Sequence, residues 1–121
     1  MMSYTRVIDP ITVMCLNPVS LTTKDAYDAT TTVIMDVCGM KGKTILVKNI
    51  DVANSLTWKI SGSIDNGHEY DYAVKTEAVV ASAAKESTVI SDYYTHLKLE
   101  FKSTVGAAPA RFVVKAAAIG I

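Results

Sequence analysis

The side chains able to do chemistry are few in this chain, and none falls into a recognisable catalytic spacing. Its two histidines, His68 and His96, stand apart. His96 lies between Tyr94 and Lys98 on the polar side of an alternating run, and His68 follows the turn Asp65-Asn66-Gly67. A nucleophilic triad needs a base held against a serine or cysteine by neighbouring groups. Neither histidine has such a motif, so both read as surface residues. Asp65, Asn66, Gly67, Glu69 and Asp71 resemble a calcium loop in composition only. An EF-hand needs a Glu at its twelfth position, between two helices. Counting from Asp65, that position is Thr76, and the flanks have the pattern of strands. A surface hairpin turn is the expectation there, and Asp25 and Asp28 read as solvated loop carboxylates.

Cys15 and Cys38 sit on apolar segments without a CxxC or Cys/His cluster, as two buried small hydrophobes would. A single disulfide between them requires neighbouring strands and an oxidising compartment. No Walker-type loop, GxGxxG or nucleophile elbow is present. Trp58 shares a face with Leu56 and Ile60, which makes it a core residue. Tyr70, Tyr72, Tyr93 and Tyr94 are better suited to a half-wet surface. The chain is therefore expected to be no enzyme, with no catalytic, metal-binding or cofactor-binding residues.

The bulk properties narrow the partners. Lys plus Arg is 12 and Asp plus Glu is 12, a formal charge of zero. A balanced chain has no net field to draw in phosphate backbones or anionic lipids, so neither nucleic acid nor membrane is an expected partner. No apolar run approaches the ~20 residues that cross a bilayer. The opening MMSYTRVIDPITVMCL lacks a signal-peptide pattern, and synthesis in a cytoplasm is expected. At 121 residues there is room for one domain.

The elements that would carry these side chains alternate with period two. Leu56, Trp58, Ile60 and Ile64 oppose Ser55, Thr57, Lys59, Ser61 and Ser63. Tyr93, Thr95, Leu97, Leu99 and Phe101 oppose Tyr94, His96, Lys98, Glu100 and Lys102. Each run describes a strand with one dry and one wet face. Val33, Met35 and Val37 alternate in the same way, as do Tyr70, Tyr72 and Val74, and Phe112, Val114, Ala116 and Ala118. Lys43–Ile50 is apolar on both faces, as in mid-sheet, and Glu77–Ser91 reads as strand, loop, strand. About six strands with turn signals between them predict an all-β, antiparallel β-sandwich, jelly-roll-like or immunoglobulin-like. The turn formers of Asn49–Asn54 and Gly106–Pro109 predict hairpins, as does Asp65-Asn66-Gly67.

Residues 1–20 carry Pro10 and Pro18 and form either an N-terminal arm or the first strand; residues 21–121 form the sandwich. At the other end, Ala117 and Ile119 are apolar opposite Ala116 and Ala118. An apolar second face at a chain end implies cover by another subunit or by the N-terminal segment. The expected subunit or shell contacts are Val7, Ile8, Ile11, Val13, Ala117, Ile119 and Ile121.

The stretch Ile45–Asp65, ILVKNIDVANSLTWKISGSID, places Val-Lys-Asn before a turn and Leu-x-Trp-Lys-Ile before Gly-Ser-x-Asp. Together with Tyr94–Ser103, YTHLKLEFKS, it resembles small β-sandwich virion proteins of tailed phages, over roughly half the chain. The resemblance implies a non-enzymatic structural protein of a virus particle, above all a capsid decoration or cement protein. Its partners would be copies of itself, as a trimer, and a capsid or other virion protein; its location would be the virion. A phage tail or head–tail component is the alternative within that class. A carbohydrate-binding or adhesin module is the alternative outside it.

Overall fold

A computed structural model describes residues 6–8, 11–106 and 108–120, with side chains from Pro18 onward. Among the described residues nine strands run in the order β1 (Arg6–Ile8), β2 (Ile11–Thr22), β3 (Thr32–Asp36), β4 (Met40–Asn49), β5 (Leu56–Ser63), β6 (Tyr72–Val80), β7 (Lys85–Ile90), β8 (His96–Ser103) and β9 (Arg111–Gly120). One 3-10 turn, Ala29–Thr31, precedes β3. The strands form two antiparallel sheets, β1-β2-β9-β4-β7 and β3-β8-β5-β6, packed face to face. The expected sandwich is therefore present. Its topology also separates the two candidates: β2 pairs with β9, β3 with β8, β4 with β7 and β5 with β6. These nested pairs are one long hairpin folded over on itself, the jelly-roll arrangement and not the immunoglobulin one.

The period-two runs supply the core. Leu56, Trp58, Ile60, Leu97, Leu99 and Phe101 point inward from the four-stranded sheet, and Ile45, Val47, Phe112 and Val114 from the five-stranded sheet. Phe101 links the layers. It stacks on Trp58 of its own sheet, with centroids 5.7 Å apart and rings 1° from parallel. It also meets Phe112 of the opposite sheet at 4.4 Å.

Several expectations are corrected at the strand ends. Ile64 and Tyr93 lie beyond β5 and before β8, so their alternation no longer matters and they are exposed at 58% and 65%. Tyr70 belongs to the turn before β6. Strand β2 runs along β9 from Thr12 to Thr22 with a bulge between Leu16 and Val19. That bulge holds Pro18, a residue that cannot donate to a regular ladder.

The larger correction concerns the connections. Only β1–β2 and β5–β6 are consecutive strands that pair; the others pass from one sheet to the other. The β5–β6 hairpin is the expected one, with Asn66 at φ 66° and Gly67 at φ 85°. Asn49–Asn54 and Gly106–Pro109, in contrast, are crossings and not hairpins. Their turn formers satisfy backbone groups that leave both ladders at the rim of the core. Asn49 is 2% exposed. Its Nδ2 donates to the carbonyls of Asn54 (2.9 Å) and Val80 (3.1 Å), and its Oδ1 accepts the Asp51 N–H at 2.9 Å. Thr23 serves the neighbouring corner: its hydroxyl shares a hydrogen bond with Ser103 Oγ at 2.8 Å and accepts the Ala110 N–H at 2.9 Å.

Asn49 thus holds three backbone groups at a dry corner, and each costs about 1–3 kcal/mol when left unpartnered. Partial rescue by water reduces the sum, so Asn49→Ala is expected to destabilise the fold by about 2–4 kcal/mol in urea unfolding. An unchanged midpoint would show that the corner does not depend on this side chain.

Candidate functional site

The two sheets present outer faces of different character. On the four-stranded sheet, charges and aromatic rings neutralise one another. Tyr27 reaches from the β2–β3 connection and donates its hydroxyl hydrogen bond to Glu77 on β6. Lys59 Nζ lies 4.7 Å and Lys102 Nζ 4.9 Å from the centre of its ring. Lys102 also pairs with Glu77 at 3.6 Å, and Lys59 with Glu100 at 3.9 Å. Burial first, then the hydrogen bond to Glu77, pushes the Tyr27 hydroxyl above its ordinary range. The same hydrogen bond, followed by the Lys102 charge, holds Glu77 below its ordinary value. Beside this network is an open groove of about 360 Å³ lined by Tyr27, Thr32, Ile34, Lys98 and Glu100.

The other chemistry-bearing residues are dispersed around the rim. Asp65 accepts the Ser63 hydroxyl at 2.7 Å and the Glu69 N–H at 2.9 Å, which makes it the organiser of the expected turn. Asp28 caps the 3-10 turn through the Thr30 N–H at 2.8 Å and pairs with Lys24, so it is more than a solvated loop carboxylate. His68 is exposed, as read from the sequence, whereas His96 is half-buried beneath the hairpin at Gly67. Cys38 is a free, exposed thiol and not a buried hydrophobe, because the alternation that buries Val33, Met35 and Val37 puts it on the outward side with Ile34 and Asp36. The side chain of Cys15 lies outside the described residues. Trp58 is fully buried, as expected. The tyrosines do not gather into a platform. Tyr94 packs onto Gly62, whose absent Cβ would meet that ring at 2.6 Å; Tyr72 tilts against Tyr94, and Tyr70 lies under Lys98. Among the described residues no group of three or more His, Cys, Asp or Glu could hold a metal ion.

Two charged side chains take inward positions, Lys43 fully buried and Glu86 partly exposed. Lys43 points inward from β4 and donates to the carbonyls of Met40 and Asp92; burial pushes its ammonium down, partly offset by the Asp92 charge. Glu86 accepts the Trp58 indole N–H at 3.0 Å and pairs with Lys75 at 3.0 Å, bridging β7 to β5 and β6 across the sandwich edge. Both occupy inward positions of strands, where their residue types gave no signal.

The five-stranded sheet is different. Its outer face carries Val113, Lys115, Ala117 and Ile119 on β9, Thr44, Leu46 and Lys48 on β4, and Lys85, Ser87 and Val89 on β7. Register rows Ala117–Thr44–Val89 and Lys115–Leu46–Ser87 cross the face side by side. Val89 is 73% and Ile119 49% exposed. Of the expected contact residues, Ala117 and Ile119 therefore point outward, while Ala116 and Ala118 are in the core. Val13 is the register partner of Ile119, and Val7, Ile8 and Ile11 lie on β1 and β2 of the same sheet; their side chains, and Ile121, fall outside the described residues. The N-terminal strand extends this sheet sideways along β9.

No family model matches the sequence, and no curated protein matches it. Solved structures do share the fold. One is a protein of Bacillus endospore appendages, described as disulfide-linked pili (TM-score 0.52, 14% identity, 89% of this chain and 87% of that one). PirA is another (TM-score 0.54, 10% identity, 80% and 90%). A third is the K3 cleaved adhesin domain of Lys-gingipain from Porphyromonas gingivalis W83 (TM-score 0.54, 11% identity, 89% and 74%). At these identities the likeness establishes the sandwich and nothing further.

The carboxylates of Asp28, Asp51 and Asp65 are all held below their ordinary values by hydrogen bonds: from the Thr30 hydroxyl, the Asn54 N–H and the Glu69 N–H in turn. A lowered folded-state value contributes stability above the unfolded value, and that stability is lost as pH falls through the folded one. The melting temperature is therefore expected to be level between neutrality and about pH 5 and to fall below about pH 4. Asp65→Asn should flatten part of that slope in circular dichroism melts. Equal melting temperatures at pH 6 and pH 3 would contradict it.

Proposed function

We propose that the chain is a non-enzymatic structural protein of a virus particle, acting as a capsid decoration protein of a tailed phage through protein–protein contacts. The observation that carries this reading is the outer face of the five-stranded sheet, where Val89, Ala117 and Ile119 lie exposed among the described residues. Ala117 and Ile119 adjoin on β9 and Val89 stands across β4 from them; apolar side chains left open on one face of a small domain form a contact surface. The alternation along β9 explains how they come to be there. Its even-numbered positions fill the core, and its odd-numbered apolar positions are left for a partner.

Val7, Ile8, Ile11 and Val13 extend the same sheet through β1 and β2. With Ala117, Ile119 and Ile121 they make up the proposed subunit and shell contact. The partners are other copies of this chain, as the trimer that three-fold capsid positions require, and a capsid or other virion protein. The chain would be made in a host cytoplasm and reside in the virion. The resemblance of Ile45–Asp65 and Tyr94–Ser103 to phage sandwich proteins supports the virion. The appendage protein, described as forming pili, supports the wider reading of a building block, although it shares only the fold.

Light scattering coupled to size exclusion tests the contact, run with reductant because the Cys38 thiol is exposed. A trimer is expected, and Ile119→Lys should shift it to monomer with little change in melting temperature, since the position lies outside the core. A parent chain that stays monomeric at high concentration would count against the subunit contact.

A further inference from the structure

The outer face of the five-stranded sheet has an apolar half and a cationic half, which the zero net charge conceals. Lys48 stands opposite Lys85 in the β4–β7 ladder, and Lys115 stands opposite Leu46 one row away. Directly paired side chains have Cβ atoms about 4.5–5.5 Å apart and diagonal neighbours about 7–8 Å. Lys48 therefore stands within about one Debye length, roughly 8 Å at physiological salt, of both Lys85 and Lys115, while Lys85 and Lys115 lie on either side of β4 at roughly 12 Å. No Asp or Glu occupies an outward position of β4, β7, β9 or the Pro18–Thr22 part of β2. The ion pairs of the described residues join Lys24, Lys59, Lys75 and Lys102 to acids elsewhere, and leave Lys48, Lys85 and Lys115 without one. Arg111, at the rim, interacts with Asp51, so its charge is partly answered.

Like charges directly opposite in a ladder repel. The free chain keeps that repulsion, and a partner bringing carboxylates would relieve it. The geometry points to an acidic protein surface as the partner of this half-face, with Lys48, Lys85 and Lys115 meeting carboxylates around a dry contact at Leu46, Val113 and Val89. This inference rests on the structural reading above and names the chemistry that the shell must present. A second copy applied two-fold through this same face does not fit, because it would set lysine against lysine. Single-stranded nucleic acid fits poorly too: among the described residues no aromatic side chain stands outward on this sheet to stack on a base. Apolar residues between the charges instead suit an interface with a dry centre and a charged rim.

The test is a ¹⁵N NMR titration of the full chain with a synthetic peptide repeating Glu-Glu-Leu. A DNA duplex and phosphatidylglycerol vesicles of matched negative charge serve as comparisons. Peptide-induced shifts are expected at Leu46, Lys48, Lys85, Val113 and Lys115. Binding should weaken about tenfold or more in K48E/K85E, and should also weaken between about 50 and about 300 mM salt. Lys98→Glu, on the opposite sheet, should leave it unchanged. Melting curves check that the double variant is folded. Shifts confined to the four-stranded sheet, equal binding by a folded K48E/K85E chain, or stronger shifts with DNA or vesicles would each overturn the inference. A chain that forms the trimer but ignores the peptide overturns it and leaves the assembly reading standing. A monomer that binds the peptide through these lysines supports it and removes the trimer.

Discussion

Rolling one long hairpin into two sheets forces six of the eight connections between the described strands to cross the rim of the core. Everything else in the structure answers to that constraint. A strand leaving its sheet takes backbone N–H and C=O groups out of the ladder just where water is being excluded, and each needs a partner. The chain places short polar side chains at those points. Asn49 takes the β4–β5 crossing, Thr23 ties the β2–β3 connection to the β8–β9 connection, and Asp51 caps the N–H groups of Ala53 and Asn54. With the corners satisfied, the sheets can close on the Trp58–Phe101–Phe112 stack, which is where a residue from each layer meets. The corners and the stack are therefore one arrangement: without the first, the second would be reached only by stranding polar groups.

Strand alternation leaves each sheet with an outer face that the core does not use, and the two faces spend their charges differently. The four-stranded sheet answers nearly every cation with an acid or a ring, as Lys59, Lys102, Glu77, Glu100 and Tyr27 illustrate. Exposed pairs of this kind contribute little each, but together they leave no demand for a charged partner. The five-stranded sheet holds cations and apolar side chains with no outward acid among its described residues. A chain that is neutral as a whole is thus polarised in space.

Much of the fold was legible in the sequence because period-two alternation maps directly onto burial. The alternation puts Leu56, Trp58, Ile60, Leu97, Leu99 and Phe101 on dry faces, and all are buried. What the alternation cannot convey is which strand lies beside which. Asn49–Asn54 has the composition of a hairpin because a crossing and a hairpin pose the same local problem, reversing direction while partnering free backbone groups. Only the long-range pairing distinguishes them. The same limit hid the cationic half-face, since Lys48, Lys85 and Lys115 are far apart in the chain and look interleaved with acids that fold onto other surfaces. Lys43 and Glu86 were illegible for a different reason: their partners, the Asp92 carbonyl and the Trp58 indole, come from other strands or loops.

The outward positions of β4, β7 and β9 are therefore the part of the chain least committed to holding it together. Substitution at such sites normally changes stability by no more than about 0.5 kcal/mol. Placing Lys48 opposite Lys85 is a small cost to the isolated sheet, whereas Thr or Glu at either position would remove it. That cost becomes a gain as soon as an acidic surface arrives, because a partner that binds only the folded chain stabilises it by mass action. The same arrangement that makes the free face slightly unfavourable then gives the bound face its orientation. Lysines flanking Leu46 and Val113 allow carboxylates to dock only on either side of the apolar row.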